Sequence, residues 1–128
     1  MRYFISAERK ELPFHRNAYR TVDLLNRLED RFSLLTEVRQ AEGCYFGTNE
    51  ISYEVKARAP YELAYLKFLA FNRYQQESIL QVDGENHATL IYHDGTTESV
   101  GRWTRTSEAI AKQQDCWTSI NGMYFITV

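Results

Sequence analysis

The chain has little cysteine, no long apolar run and no excess of positive charge. Its two cysteines, Cys44 and Cys116, are too few for a disulfide framework, and in a reducing cytosol they are most simply small buried hydrophobic residues. No apolar stretch approaches the roughly 18 residues of a membrane-spanning helix, and residues 1–10 lack the apolar stretch of a signal peptide. We therefore predict a cytoplasmic protein without membrane attachment.

Several binding motifs are also absent from the sequence. The formal net charge is −2 and the Lys and Arg residues are scattered, so we predict no nucleic-acid partner. No glycine-rich phosphate loop, dinucleotide fingerprint or zinc-protease motif occurs, and we predict no bound cofactor. The three histidines lack ligand-like spacing with cysteines or carboxylates, which predicts no metal site. A catalytic triad of residues distant in sequence stays open, although nothing favours one.

The length of 128 residues indicates one domain, spanning 1–128. In the first half of the chain we predict a strand at 3–6, a loop at 8–17, a helix at 21–32, an extended stretch at 34–39 and a hairpin that turns at 46–49. A second helix begins at 59–60 and continues to 71. The rest of the chain is predicted to form strands at 78–82, 88–92 and 98–104, a short helix at 107–113 and a final strand at 123–128. This order predicts an α+β protein with a ferredoxin-like antiparallel sheet, two helices on one face and a C-terminal β extension. The other sheet face is expected to be free to pack against copies of the chain.

The second predicted helix is apolar over most of its circumference. From 61 to 71 only Glu62 and Lys67 are charged. The apolar surface of this helix is therefore wider than the contact area that one face of a sheet can provide. The helix is therefore either deeply buried or meets another subunit, and we favour the second.

The most informative segment is the predicted hairpin. Residues 43–50 precede an alternation of apolar and polar residues at 51–56 that is typical of a strand with one buried face. A four-residue turn at 46–49 is expected, with Gly47 and Asn49 tolerating positive φ.

That turn places Tyr45 directly opposite Glu50, on one face, with their Cβ atoms roughly 5 Å apart. Cys44 and Ile51 point to the other face, into the core. The phenol and the carboxylate then project away from the interior of this subunit. We therefore predict Tyr45 and Glu50 as the active centre.

The order and spacing of several segments from 33 to 128 resemble the bacteriophage S-adenosylmethionine lyases, formerly called S-adenosylmethionine hydrolases. The segments are Gly43-Cys44-Tyr45…Glu50, Phe68-Leu69-Ala70-Phe71-Asn72, Ile79-Leu80, Ala88-Thr89-Leu90-Ile91-Tyr92 and Gln114-Asp115-Cys116-Trp117-Thr118. The resemblance implies a ferredoxin-like homotrimer with active sites between subunits. It also implies cleavage of S-adenosylmethionine to methylthioadenosine and homoserine lactone, by which a phage removes the methyl donor used in host restriction and DNA methylation.

The resemblance assigns the family's functional tyrosine and glutamate to Tyr45 and Glu50. Glu50 is expected to hold the substrate's α-ammonium group, and Tyr45 to orient the substrate through its hydroxyl or its ring face. Ser52 and Glu54 share the same outward face and could extend the site as substrate-binding residues, although we favour surface roles for both. One family member has a longer insertion between the pair, and two acidic residues where this chain has Asn49-Glu50, so the geometry of the pair stays open.

Three functions follow from these observations. The first is an S-adenosylmethionine lyase, in which the substrate's own carboxylate is the nucleophile. The second is a hydrolase, in which Glu50 deprotonates a water and has a pKa raised by burial. The third is a non-enzymatic trimer that binds a nucleotide-like ligand or a host protein.

Overall fold

The computed structural model describes residues 1–128 and is built mainly from antiparallel strands. The strands are β1 (Arg2–Ile5), β2 (Val38–Tyr45), β3 (Thr48–Lys56), β4 (Ser78–Val82), β5 (His87–Tyr92), β6 (Thr97–Thr106), β7 (Cys116–Ile120) and β8 (Met123–Thr127). The helices are α1 (Phe14–Glu29), α2 (Pro60–Lys67), its π-helical continuation (Phe68–Arg73) and α3 (Glu108–Ala111). No helix is both long and apolar enough to cross a membrane.

The sheet is a closed barrel with strand order β1-β3-β2-β7-β8-β6-β5-β4, so the predicted ferredoxin-like open sheet is wrong. Two pairings account for the closure. β1 pairs with both β3 and β4, and β7, which the sequence analysis did not predict, joins β2 to β8. Closure gives every strand two partners, so no strand is an edge strand along its whole length.

The interior of the barrel is filled by this chain's own side chains. Phe4 lies 5.1 Å from Trp103 between ring centroids, and Trp103 stacks on Phe125 at 5.2 Å. Ala41 and Ile120 belong to the same cluster. The prediction of a second sheet face free to pack against other copies is therefore wrong, because that face lines the barrel.

The outer surface of the barrel carries the larger core. Leu24 and Leu28 of α1 and Leu66 of α2 are buried against the outward side chains of β1, β3, β4 and β5. Tyr53 and Val55 lie in this core, as the alternation along β3 predicted. The two helices do cover one face of the sheet, and that face is the outside of the barrel.

The positions of the two prolines mark the helix starts better than the spacing of apolar residues does. α1 begins at Phe14, directly after Pro13, and not at the predicted Thr21, which is buried within the helix. Proline fixes φ near the helical value and lacks the N–H that a first turn leaves unpaired. α2 begins at Pro60, as predicted. On the helix that continues α2, Phe68 is 55% exposed, so the helix is not fully buried within this chain.

Candidate active site

The hairpin between β2 and β3 turns over two residues, not four. Phe46 and Gly47 have φ of 48° and 84°, which places Tyr45 opposite Thr48 and Glu50 opposite Gly43. The predicted direct pairing of Tyr45 with Glu50 is therefore wrong. Positive φ at both central positions suits the right-handed twist of the flanking strands, and this fit favours the shorter turn even though Phe46 is not a glycine.

Tyr45 and Glu50 nevertheless share one face. The observed register differs from the predicted one by two residues, and side chains alternate with a period of two. The two residues are diagonal neighbours, for which Cβ separations of roughly 7–8 Å are usual, and not an opposing pair.

The shared face is directed toward the interior of the barrel, which corrects the prediction that the pair projects away from the subunit's own interior. Ser52, two residues from Glu50 on β3, lies opposite Ala41, a member of the interior cluster. Glu50 is half-buried, whereas Tyr45 at the end of β2 is 62% exposed. The pair therefore stands at one mouth of the barrel.

The segment that follows β1 forms one wall around Glu50. The Ser6 hydroxyl donates to the Ile51 carbonyl at 2.9 Å, and the Glu8 amide donates to the Ser6 hydroxyl at 3.2 Å. The Glu8 carboxylate accepts a hydrogen bond from the Ile51 amide. These bonds bring the Glu8 carboxylate to the start of β3, beside Glu50. Sequence reasoning missed Glu8, because no local pattern links a loop residue to a strand residue so distant in the chain.

Burial raises the pKa of Glu50 to about 7, and the negative charge of Glu8 adds to the increase, while the Ser6 hydroxyl opposes it. None of the ion pairs in the structure includes Glu50 or Glu8. At neutral pH the Glu50 carboxyl is therefore divided between its protonated and charged forms. A bound cation stabilises the charged form, so the mouth favours a positively charged ligand group.

Glu54, on the same strand and the same face, has a different environment. It is 1% exposed, and its carboxylate accepts two hydrogen bonds from the Arg39 guanidinium, at 2.8 and 3.0 Å. The Arg2 guanidinium lies 3.6 Å away. Ser52 is also buried, so the favoured prediction of surface roles for Ser52 and Glu54 is wrong. Their substrate-binding role stays a prediction, and the charge of Glu54 is already balanced by arginine.

Two further polar side chains approach the same mouth. The Tyr92 hydroxyl at the end of β5 donates to the Glu98 carboxylate at 2.9 Å. This hydrogen bond, burial and the charge of Glu98 raise the pKa of Tyr92. Tyr45 itself meets the Phe46 ring edge-on, with centroids 4.7 Å apart. The mouth thus combines aromatic rings with carboxylates, which suits a ligand with both apolar and cationic parts.

Two clefts of the structure are lined by other residues than the predicted pair. One, of about 340 Å³, is lined by residues of the α2 continuation and the β5–β6 turn, including Phe71 and His93. Another, of about 240 Å³, lies near Arg2 and Lys56 at the other end of the barrel. Neither is lined by Tyr45 or Glu50, although the first includes Tyr92.

The family comparison agrees with the chemistry of this mouth. The model of the S-adenosylmethionine lyase family matches residues 3–128. The chain belongs to the S-adenosylmethionine lyase family. It is accordingly a lyase that acts on S-adenosylmethionine, which argues against the non-enzymatic binding module. No curated protein matches the chain. The match includes the segment of Ser6 and Glu8, which the resemblance over 33–128 did not cover.

Proposed function

We propose that Tyr45 and Glu50 form the active centre of an intramolecular cleavage of S-adenosylmethionine. The substrate's carboxylate oxygen bonds to its own γ-carbon while the bond from that carbon to sulfur breaks. The electron pair of the broken bond stays on sulfur, so the products are the neutral thioether 5′-methylthioadenosine and homoserine lactone. No proton is transferred in this step, and no general base is needed.

The observation that carries this proposal is the half-buried Glu50, which no cation neutralises. Its carboxylate suits the substrate's α-ammonium group through a charge-assisted hydrogen bond. Opposite charges disappear as the lactone forms, so a poorly hydrated mouth favours the transition state over bulk water. Holding the methionine tail folded, with carboxylate and γ-carbon in contact, can supply up to about 7–11 kcal/mol.

Tyr45 is proposed to orient the substrate from the exposed side of the mouth. Its ring face attracts a positive charge such as the sulfonium, and its hydroxyl is free to donate to the substrate. Its exposure of 62% leaves both groups accessible to a ligand.

We also propose that the active unit is a homotrimer with sites between subunits. The support is the set of exposed aromatic and apolar side chains on the hairpin that carries Glu50: Tyr45 is 62%, Phe46 is 63% and Ile51 is 38% exposed. A neighbouring copy placed here would cover these residues and exclude water from Glu50. Light scattering on the purified protein tests the trimer directly, and a monomeric mass in an active sample would contradict it.

The biological role that follows is depletion of the methyl donor in the bacterial cytosol. Loss of S-adenosylmethionine would deprive host methylation and restriction of their substrate, so we propose a phage anti-restriction role. This role depends on the cleavage reaction and adds no residue to the site.

Hydrolysis is the second candidate, and one observation favours it. A general base works best with a pKa near the working pH, and the pKa of Glu50 is raised to about 7. Isotopically labelled water separates the two reactions. Direct hydrolysis places the label on the γ-hydroxyl of homoserine, whereas a lactone that opens later carries it in the carboxyl group. Mass spectrometry of samples quenched early should show unlabelled lactone first.

Glu50→Gln is the decisive variant, because it keeps the shape and removes the charge. We expect kcat/KM to fall by about 100-fold, corresponding to loss of a charge-assisted contact of roughly 2–3 kcal/mol. Release of methylthioadenosine by chromatography is the measurement. Glu85→Gln, the same change at an exposed turn, is the matched control. Wild-type turnover by Glu50→Gln would refute the assignment of Glu50.

A further inference from the structure

The segment from Ser6 to Glu8 is hydrogen-bonded to both backbone polar groups of Ile51 in β3. The Ile51 carbonyl accepts from Ser6, and the Ile51 amide donates to the Glu8 carboxylate. The Glu8 amide also donates to the Ser6 hydroxyl. The Glu8 side chain thus supplies the acceptor for the Ile51 amide, which forms no hydrogen bond with β2. Ile51 is the residue directly after Glu50.

The charges around the two carboxylates are unbalanced. Arg9, the neighbour of Glu8, directs its guanidinium to Glu11 and to the Gln75 carbonyl. The Ser6 hydroxyl lies beside Glu50, and the phenol of Tyr53 on β3 lies near Glu8, where burial and the Glu8 charge raise its pKa. No cation competes with a ligand for Glu50.

We propose that Glu8 is a positioning residue for Glu50: its carboxylate fixes the start of β3 through the Ile51 amide and holds a second negative charge beside the candidate active-site carboxylate. The inference rests on the proposed function of Glu50. Glu8 acts through Glu50 and the Ile51 amide, and it forms no contact with the reacting atoms in this scheme.

The second charge has a direct consequence for pH dependence. A negative neighbour disfavours ionisation, so Glu8 raises the pKa of Glu50 in addition to burial. Substrate capture by charged Glu50 is then lost as the pH falls through this raised pKa. Without the charge of Glu8, the pKa of Glu50 is lower and capture persists to more acidic pH.

Two variants separate the charge from the hydrogen bond. Glu8→Gln removes the charge and keeps an oxygen that accepts from the Ile51 amide, whereas Glu8→Ala removes both. The measurement is kcat/KM across the pH range. For Glu8→Gln we expect the alkaline plateau of the wild type and a midpoint moved to lower pH, with activity at about pH 6 raised roughly threefold. For Glu8→Ala we expect the plateau itself to fall roughly tenfold.

The control is Glu85→Gln, which makes the same charge change at the exposed β4–β5 turn at the other end of the barrel. Its pH profile should match the wild type. An unshifted midpoint in Glu8→Gln, with Glu50→Gln inactive, would overturn the inference and leave the proposed function intact. Full activity of Glu50→Gln would instead refute the proposed function, whatever Glu8→Gln does.

Discussion

Glu50 and Glu54 lie on the same strand and on the same face, yet they stand in opposite electrostatic environments. Glu54 is nearly fully buried and is neutralised by Arg39 and Arg2. Glu50 is half-buried beside a second carboxylate and has no cationic partner. A buried carboxylate that pairs with two arginines has its negative charge balanced within the chain and needs no ligand. A desolvated carboxylate without one is stabilised only when a ligand brings the positive charge, and this difference distinguishes a structural acid from a functional one.

Arg39→Ala tests the structural end of this comparison and has the largest expected effect. It leaves Glu54 buried with only the more distant Arg2, and breaking a buried pair in this way should lower the free energy of unfolding by about 3 kcal/mol. Urea unfolding followed by circular dichroism measures the change. Gln40→Ala, at the exposed neighbouring position on β2, should change stability by less than about 0.5 kcal/mol. An equal loss of unfolding free energy in Arg39→Ala and Gln40→Ala would show that the ion pair of Glu54 does not stabilise the fold, and the contrast with Glu50 would be lost.

Glu50→Gln tests the functional end through stability. The folded-state pKa of Glu50 is about 7, above its unfolded value of 4.5, so the folded state binds more protons between those values. Stability therefore declines as the pH rises through that window, and the penalty is complete above pH 7. After allowance for partial exposure, the Gln variant should be more stable than wild type by about 1 kcal/mol at about pH 8.

At about pH 4 the two proteins should be equally stable, because Glu50 is protonated in both the folded and unfolded states. Thermal unfolding in matched buffers provides the measurement. Equal stability of wild type and variant at alkaline pH would show that Glu50 is well solvated.

Substitution of Tyr45 has the smallest expected effect and separates its two proposed roles. If the ring face holds the sulfonium, Tyr45→Phe keeps most activity and Tyr45→Leu lowers kcat/KM roughly threefold, within the usual range of an exposed cation–π contact. A loss shared equally by both variants assigns the role to the hydroxyl. Since Tyr45 is 62% exposed, the stability of either variant should match wild type, and no effect of either on activity would exclude Tyr45 from the site.

Local patterns predicted the elements better than their assembly. The strand at 78–82 was predicted with its observed bounds, and the helix start at Pro60 and the short helix after Ser107 are confirmed. The strand at 116–120 was missed because its apolar residues, Trp117 and Ile120, face different clusters outside and inside the barrel. No single-face alternation marks such a strand.

The hairpin shows where local reasoning ends. The alternation along β3 fixed which residues share a face with Glu50, and a register change of two residues left that assignment intact. The turn length was wrong because Phe46, a residue with no preference for positive φ, adopts it in place of Asn49.

By itself the sequence determined the two-residue periodicity of its strands, the shared face of Tyr45 and Glu50, and membership in a family of S-adenosylmethionine lyases. These features depend on covalent geometry and on residue order. Only the tertiary structure decided that the sheet closes, that this face lines a barrel, and that Glu8 stands beside Glu50 while two arginines stand beside Glu54. Desolvation and charge pairing depend on neighbours far apart in the chain, so they arise only when the strands meet.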